Sequence, residues 1–232
     1  MATKDGRQFV RYSFYKLQSA WRHLDDAQKQ AGKRELAAVI DERSNGTMIR
    51  PYSVVGTRAD ADFFLWTVAE SLEALQSLAT AVQSTALGRY LDTPYSYLAM
   101  TRKSAYTDRH EHPGSEGSRL TIRPKGSKYL FVYPFVKTRE WYLLPLERRQ
   151  EVMDVHIALG HKYPSVKINT SYSFGLDDQD FVVSFESDHP EDFLDLVLDL
   201  RETESSLYTV RDTPVFTGIS MPMEEVLETM GS

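Results

Sequence analysis

The chain contains an internal repeat, and this feature limits its possible folds more than any other. Residues 8–17, QFVRYSFYKL, resemble residues 128–138, KYLFVYPFVKT. Matching residues then follow in the same order: Tyr12 and Tyr133, Phe14 and Phe135, and Lys16 and Lys137 at an offset of 121, Trp21 and Trp141 at 120, and Gly56 and Gly175 at 119. Short insertions and deletions leave such a drifting offset, so we predict that the chain is two copies of one unit.

Each copy shows the same succession of elements. Apolar, aromatic-rich runs predict strands, and the longer charged amphipathic segments predict helices. The turns GTRADAD and GLDDQD combine Gly with Asp, which is typical of hairpin turns. The predicted strands and helices are 8–16, 17–43, 49–56, 61–67, 69–84 and 94–101 in the first copy, and 128–136, 146–162, 166–174, 180–186, 190–203 and 213–218 in the second.

The order β-α-β-β-α-β is that of a ferredoxin-like fold. We therefore predict an α+β protein with a duplicated ferredoxin-like fold, a dimeric α+β barrel within one chain, with its helices outside the sheets. The predicted boundaries are 1–102 for the N-terminal half, 103–127 for a connecting loop and 128–232 for the C-terminal half. Two unrelated α+β modules are the alternative, and the matched aromatic and lysine positions favour duplication.

Composition excludes several classes of protein. Cysteine is absent from the 232 residues, which excludes disulfide frameworks, thiolate zinc sites, iron–sulfur clusters and cysteine nucleophiles. The formal charge of −6 argues against nucleic-acid binding through a basic surface. No run of 18 apolar residues occurs, so we predict no membrane span. The start of the chain, MATKDGRQFV, lacks an apolar signal core and predicts a cytoplasmic protein.

Metal or anion binding must then rely on histidine, carboxylate and basic side chains. His110 and His112 form an HEH triplet in the connecting loop, where a solvated loop is the simpler interpretation. Ser205 and Ser206 follow the last predicted helix and are candidate donors to an anion. The segment RLTIRPKGSK concentrates four basic residues in an acidic protein: Arg119, Arg123, Lys125 and Lys128. Such a segment is typical either of a site for several carboxylates or of a charged, solvated loop.

His156 lies on a predicted apolar helix face. Val152, His156, Leu159 and Tyr163 recur with helical spacing. A lone histidine on such a face is usually a packed core residue. A buried neutral imidazole is also what a haem iron needs as its proximal ligand, and the lack of a second ligand would leave the sixth position open for chemistry.

The strand around Tyr133 presents a phenol and an ammonium on one face. Tyr133 and Lys137 alternate onto the same side, roughly 13 Å apart along the backbone. Pro134 cannot donate a ladder hydrogen bond, which predicts an edge, a bulge or a closely approaching segment. Taken alone, the two residues are better explained as a packed tyrosine and a solvated strand end.

Together these segments resemble a known family. The segments YPFVKTREWYLLPLERRQEVMDVHIALGHKY, GLDD and LRETESSLYTVRDTPVFTG, with RADADFFLW in the first half, are similar to the chlorite dismutase-like haem proteins. Within that family they most resemble the coproheme decarboxylases, the haem synthases of the coproporphyrin-dependent pathway. The similarity covers nearly the whole chain and is densest from Arg119 to Gly218. The resemblance implies the duplicated ferredoxin-like fold, a homopentamer, and a haem or coproheme site in the C-terminal half.

The resemblance also implies roles for individual residues. His156 matches the proximal iron ligand, Tyr133 the reactive tyrosine of a Y-P-x-x-K motif, and Lys137 its lysine. Three further positions align with cofactor-binding residues of the family: Arg119 with a propionate-binding arginine, Ser206 with a propionate-binding serine, and Glu204 with a carboxylate near the proximal histidine.

One departure from the family pattern helps to choose among activities. Chlorite dismutases carry a distal arginine on the strand after the proximal-histidine helix, and this position falls on Ile168. A one-residue gap error would move it to Lys167 or Asn169, neither of which is arginine. The resemblance does not fix the distal base, since neither His110 nor His112 has matching spacing.

The resemblance thus implies hydrogen-peroxide-dependent oxidative decarboxylation of two propionates of iron coproporphyrin III, or coproheme, to vinyl groups, which gives haem b. Coproheme is then both substrate and redox cofactor, and hydrogen peroxide is the co-substrate. Chlorite dismutation, a non-enzymatic haem carrier or sensor, and a barrel protein without haem are the alternatives.

Overall fold

The computed structural model describes residues 5–106 and 120–231. In that part the chain forms six α-helices: α1 Asp26–Arg43, α2 Leu72–Ser84, α3 Arg139–Leu143, α4 Leu146–Gly160, α5 Pro190–Arg201 and α6 Met223–Thr229. The strands are β1 Phe9–Leu17, β2 Met48–Ser53, β3 Phe63–Ala69, β4 Leu91–Met100, β5 Tyr129–Lys137, β6 Lys167–Tyr172, β7 Phe181–Ser187, β8 Thr209–Arg211 and β9 Phe216–Ser220.

All strands except β8 join one closed antiparallel barrel. Around the ring they follow the order β2-β3-β1-β4-β6-β7-β5-β9, and β9 returns to β2. The short β8 pairs with the end of β5. Each half contributes four strands in the same relative order, β4-β1-β3-β2 and β9-β5-β7-β6, which is the predicted duplicated ferredoxin-like arrangement.

Two short seams join the halves. Met100 of β4 pairs with Tyr172 of β6, and Tyr52 of β2 pairs with Ser220 of β9. The hairpin turns reinforce both seams: Thr57 Oγ1 donates to the Thr217 carbonyl at 2.8 Å in one, and the Asp177 carboxylate accepts from the Leu98 amide at 2.7 Å in the other.

The predicted match between Gly56 and Gly175 is confirmed. They lie at φ +83° and +71° in equivalent turns, a conformation that favours glycine. The structural repeat therefore follows the predicted offset of 119 at these turns.

The predicted offset of 121 between β1 and β5 is wrong by one residue. The Asp62 amide donates to the Tyr15 carbonyl, and the Asp180 amide donates to that of Phe135. Leu17 N likewise donates to the Asp62 carboxylate, and Lys137 N to the Asp180 carboxylate. Tyr15 therefore corresponds to Phe135, and Leu17 to Lys137, at an offset of 120.

This single residue changes the face on which the matched side chains lie, because strand side chains alternate. Tyr12 and Phe14 point into the barrel and are fully buried there. Tyr133 and Phe135 lie on the outer face of β5, beneath the helices, and Tyr133 packs in a separate cluster. The true counterpart of Tyr133 is Ser13.

The predicted helix 17–43 is shorter than expected. β1 continues to Leu17, a 3-10 turn occupies Ser19–His23, and α1 begins at Asp26. Asp25 caps this helix by accepting from the Gln28 amide at 2.8 Å, while the Gln28 side chain accepts from the Asp25 amide. The second copy breaks its helical segment in the same way, into α3 and α4.

The final helix, α6, was not predicted. It follows β9 but packs on the N-terminal half, where Met223, Val226 and Leu227 join a buried cluster with Leu36 and Ile49. The outer layer of the N-terminal half is therefore completed by the end of the chain.

The outer layer of the C-terminal half is less complete. Its buried cluster consists of Phe131, Val166, Phe185, Phe193 and Leu196. Among the described residues, exposed large apolar side chains are confined to Val55 and Leu72 in the N-terminal half, whereas the others lie between Leu143 and Val215. None of the helices in the described ranges is both long and apolar enough to cross a membrane.

Candidate functional site

The candidate residues lie on the outer face of the C-terminal sheet and on the helix that covers it. Tyr133 and Lys137 are on β5, Ile168 is on β6, and His156 is on α4. The predicted alternation of Tyr133 and Lys137 onto the face opposite the barrel core agrees with this placement.

His156 is held by a buried serine. Its Nδ1 lies 3.1 Å from the Ser205 hydroxyl oxygen, which is itself 2.8 Å from Thr203 Oγ1. Burial, with a smaller contribution from the positive charge of Lys137, lowers the pKa of His156 to about 4, so the imidazole is neutral near pH 7. A neutral imidazole with one nitrogen fixed and Nε2 available has the form of a metal-binding histidine.

The structure places Ser205, rather than Glu204, at the imidazole. The Glu204 carboxylate binds Arg148 at 2.6 and 2.7 Å on the exposed side of α4. Ser206 donates to the carbonyls of Arg201 and Thr203, at 2.9 and 2.8 Å, and so caps the end of α5. The porphyrin contacts predicted for Glu204 and Ser206 remain predictions.

Lys137 is partly buried against aromatic rings. Its ammonium lies 4.0 Å from the centroid of the Trp141 ring, a cation–π contact. Burial lowers the pKa of Lys137 to about 8, and the Asp180 carboxylate opposes this shift. The ammonium is therefore mainly protonated at pH 7 and can attract a carboxylate.

Tyr133 stacks on Phe185, with ring centroids 5.9 Å apart. Burial raises the pKa of Tyr133 above its usual value, the negative charge of Asp212 raises it further, and Arg201 lowers it. The phenol therefore stays protonated at neutral pH. Arg201 and Asp212 form an ion pair with each other.

Sequence reasoning missed Arg201 and Asp212, which lie far from Tyr133 along the chain. The signal that pointed towards them is Pro134. Val136 pairs with Arg211 and Val132 pairs with Phe216, so residues 212–215 bulge away from β5 beside Pro134. Of the alternatives predicted for Pro134, the structure shows a bulge on the β8–β9 side, whereas on the other side Pro134 pairs with Val182 of β7.

Ile168 is 44% exposed on the outer face of β6, where it pairs with Phe185. The two neighbouring residues are engaged elsewhere. Asn169 points into the barrel and donates to the buried Glu186 carboxylate at 3.0 Å, and the Lys167 ammonium binds the Arg123 carbonyl. At this strand position an apolar side chain, rather than a cation, faces the site.

Three predicted residues, Arg119, His110 and His112, lie outside the described residues. The returning end of the connection is fixed against the C-terminal half. The buried Glu186 carboxylate accepts from the amides of Lys125 and Gly126 at 3.0 and 2.7 Å, and Lys125 Nζ donates to the Ser165 carbonyl. The basic segment therefore reaches the start of β6.

These residues fit an iron porphyrin. No group of three or more His, Asp or Glu side chains that could hold a bare metal ion occurs within residues 5–106 and 120–231. A porphyrin brings its own four nitrogen ligands, so the single neutral His156 suffices as a protein ligand. The exposed apolar side chains of this half suit the porphyrin faces, and Lys137 and Arg201 suit its carboxylates.

Comparison with known proteins supports this interpretation. The chlorite dismutase family model matches residues 29–221. The coproheme decarboxylase of Mycolicibacterium smegmatis is 36% identical over 208 residues, which cover 82% of this chain and 84% of that protein. The chlorite dismutase of Ideonella dechloratans is 27% identical and covers 96% of this chain and 79% of its own. A putative haem-binding protein of Halobacterium salinarum is 35% identical, but the match covers 39% of that protein.

The fold agrees with solved structures. A mutant chlorite dismutase from Candidatus Nitrospira defluvii superposes with a TM-score of 0.87 at 25% identity, over 97% of this chain and 96% of the other. The α+β duplicated ferredoxin-like fold and the resemblance noted from the sequence are both confirmed. From the extent of the family match and the identity to the mycobacterial protein, the chain belongs to the chlorite dismutase-like family of haem proteins.

Proposed function

We propose that this protein is a coproheme decarboxylase that uses hydrogen peroxide to convert two propionates of iron coproporphyrin III into vinyl groups. The observation that carries the proposal is the grouping of a neutral His156, a protonated Tyr133 phenol and the Lys137 ammonium on one incompletely covered face. The 36% identity to a coproheme decarboxylase supports the same choice.

Each residue has a part in this reaction. His156 would hold the iron through Nε2, with its ring orientation set by Ser205. Iron coproporphyrin III is the substrate and, with hydrogen peroxide, supplies the oxidising equivalents. Tyr133 would give up an electron and a proton, take a hydrogen atom from the β-carbon of the adjacent propionate, and leave that propionate to lose carbon dioxide.

The carboxylates of the porphyrin need cationic anchors. Lys137 on β5 and Arg201 at the end of α5 supply two. Arg119 and Ser206 complete the proposed set, as the family resemblance implies. Charge-assisted hydrogen bonds of this kind orient a ligand as well as bind it, so the anchors select which propionate meets Tyr133.

The apolar Ile168 favours decarboxylation over chlorite chemistry. Chlorite is an anion, and its turnover is served by a cation that holds it and the hypochlorite that leaves. Ile168, Asn169 and Lys167 do not offer such a group to the site, since the amide faces the barrel and the ammonium binds the Arg123 carbonyl.

We also propose that the protein works in the cytoplasm as a homopentamer. The basis is the family resemblance. Multi-angle light scattering of the purified protein, with and without coproheme, measures the subunit number directly.

The deciding experiment mixes apoprotein with ferric coproheme, adds hydrogen peroxide stepwise and follows the porphyrin by mass spectrometry. We expect two successive losses of a carboxyl group plus hydrogen, ending at haem b. Oxygen release from added chlorite is measured in parallel and should stay at the level of free haem. Tight coproheme binding without a mass change would contradict the proposal and support a haem carrier.

A further inference from the structure

The segment that follows β8 places the carboxylate of Asp212 near the part of β5 that contains Tyr133. Residues 212–215 leave the ladder between the pairs Val136–Arg211 and Val132–Phe216. Asp212 is the first residue of this bulge, and its side chain is 20% exposed. Asp212 directly follows the Val136–Arg211 pair, so its mostly buried carboxylate lies beside Phe135, two residues along β5 from Tyr133.

The ion pair with Arg201 holds this carboxylate in place. Among the charged groups of the described residues, those that act on the Tyr133 phenol are Asp212, which raises its pKa, and Arg201, which lowers it. Of these two charged neighbours, Asp212 can accept the phenolic proton, whereas the Arg201 guanidinium has no lone pair and cannot.

Lys137 is not among the charged groups that act on the Tyr133 phenol. Its ammonium rests on the Trp141 ring, and its charge acts on His156. With a pKa of about 8 it is mainly protonated at pH 7 and cannot accept a proton in that form. Lys137 is better suited to hold a carboxylate of the ligand.

We propose that Asp212 accepts the phenolic proton of Tyr133 when that side chain is oxidised, a role that rests on the proposed function. The O–H bond of Tyr133 breaks, its electron passes to the oxidant formed from peroxide, and its proton forms an O–H bond on Asp212 through one intervening water. The tyrosyl oxygen then takes a hydrogen atom from the propionate β-carbon and becomes a phenol again.

The cycle balances with no further reagent. The carbon radical gives the second electron to the same oxidant as carbon dioxide leaves and the vinyl group forms. The proton on Asp212 leaves to solvent and is consumed in reducing peroxide. For each propionate, one hydrogen peroxide and one solvent proton are used, and one vinyl group, one carbon dioxide and two waters are formed.

The first test uses apoprotein and does not depend on haem chemistry. Difluorotyrosine at position 133 gives a fluorine NMR signal and a phenol much more acidic than that of tyrosine, so it titrates in an accessible pH range although burial raises its pKa. In Asp212→Asn we expect its pKa to fall by about one unit, because a nearby negative charge is lost. Asp199→Asn is the control: it also removes one negative charge, but from a carboxylate of α5 that accepts from Tyr163. It should leave the pKa of the difluorotyrosine unchanged. An unchanged pKa in Asp212→Asn would overturn the proposal.

The second test measures a single turnover of the coproheme-loaded protein. Asp212→Asn should slow the first vinyl formation by about a hundredfold while the Kd for coproheme stays within about threefold. Asp212→Ala should be slow in the same way and should recover at least about tenfold on addition of formate. A merely structural role would not respond to formate.

The outcomes separate this proposal from the proposed function. No vinyl formation by the unmodified protein would overturn the function and this step together. Full-speed vinyl formation by Asp212→Asn, or loss of coproheme binding without rescue by formate, would overturn the role of Asp212 alone.

Discussion

The two halves of the barrel hold different side-chain pairs at one equivalent place. The first hydrogen bonds of α4 and α1 are equivalent: Arg149 N donates to the Pro145 carbonyl, and Lys29 N donates to the Asp25 carbonyl. This aligns the two helices at an offset of 120, so His156 corresponds to Leu36. A second pair of equivalent hydrogen bonds aligns the segments before the last strands: Thr138 N donates to the Tyr208 carbonyl, and Gln18 N donates to the Tyr90 carbonyl. By this alignment Ser205 corresponds to Leu87. A polar pair in one half thus replaces two buried leucines in the other.

Neighbouring positions also differ between the halves. Lys137 corresponds to the apolar Leu17, and the large ring of Tyr133 corresponds to the small Ser13. Ile168 corresponds to Ile49, and the same residue type is 44% exposed in the C-terminal half and 9% exposed in the N-terminal half. One scaffold can therefore form a closed packed layer or, as we propose for the C-terminal half, a ligand site, depending on whether apolar side chains and a covering helix fill the space above its sheet.

The largest effect is expected when the C-terminal half is made to resemble the N-terminal half. His156→Leu removes the iron ligand, so coproheme should bind at least about a hundredfold more weakly, with its Soret band like that of free coproheme. Absorbance titration measures this, and circular dichroism should show an unchanged fold. Leu36→His is the reciprocal control and should create no second coproheme site. Unchanged affinity in His156→Leu would remove His156 as the ligand.

Tyr133→Phe should separate binding from chemistry. The variant keeps the ring that stacks on Phe185 but has no O–H bond to break, so we expect coproheme binding within about threefold and no decarboxylation. Mass spectrometry after peroxide addition measures both propionates.

Tyr12→Phe is the matched control, because Tyr12 lies inside the barrel and donates to Ser184 at 2.8 Å. It should retain turnover and lose about 1 kcal/mol of stability. Full turnover by Tyr133→Phe would exclude the tyrosine from the reaction.

Ser205→Ala tests the partner of the imidazole. Loss of the hydrogen bond to Nδ1 should weaken coproheme binding about tenfold or more, since such partners orient the ligand and raise its basicity. Leu87→Ala changes the counterpart residue and should instead cost about 2–5 kcal/mol of stability, measured by urea unfolding, with unchanged coproheme affinity. Equal effects of both variants on affinity would contradict the contrast between the halves.

The smallest effect concerns the turns that join the halves. Asp60 accepts from Arg58 and from Tyr95, and the bond from Arg58 is the main cause that lowers its pKa to about 2. Because the pKa of Asp60 is lower in the folded state than in the unfolded state, the ionised carboxylate stabilises the fold above about pH 4. This contribution is lost as the pH falls from about 4 to 2. Asp60 is partly exposed, so we expect a loss of about 1 kcal/mol.

Urea unfolding at pH 5 and at pH 2 measures how much free energy of unfolding is lost on acidification. In Asp60→Asn this loss should be smaller by the contribution of Asp60. The equivalent C-terminal turn holds its seam with Asp177 and Gln179, and Gln179→Ala, which adds no titratable group, should leave the acid sensitivity due to Asp60 intact. An unchanged slope in Asp60→Asn would contradict the assignment.

The repeat and its order of elements could be predicted from the sequence because each half carries its own strand and helix periodicities. The alignment of β1 with β5 could not be predicted, because the shared Tyr-x-Phe-x-Lys pattern matches by residue type at a position one residue away from the structural match. The apolar helix face and the Y-P-x-x-K motif led to His156, Tyr133 and Lys137. Ser205 could be named as a polar candidate but not as the partner of His156, because that contact joins residues 49 apart in the chain. Arg201 and Asp212 were missed because they come together only when β8 folds back on β5, and Pro134 marks only the place where this happens.

The placement of α6 has a consequence for how the chain is made. During synthesis the N-terminal half leaves the ribosome first, but Leu36 and Ile49 lack their covering side chains until Val226 and Leu227 emerge. The barrel closes at the β2–β9 seam at the same late stage. Early truncation therefore leaves a nascent chain with an open sheet edge and an uncovered apolar layer, which is a substrate for chaperones and proteases.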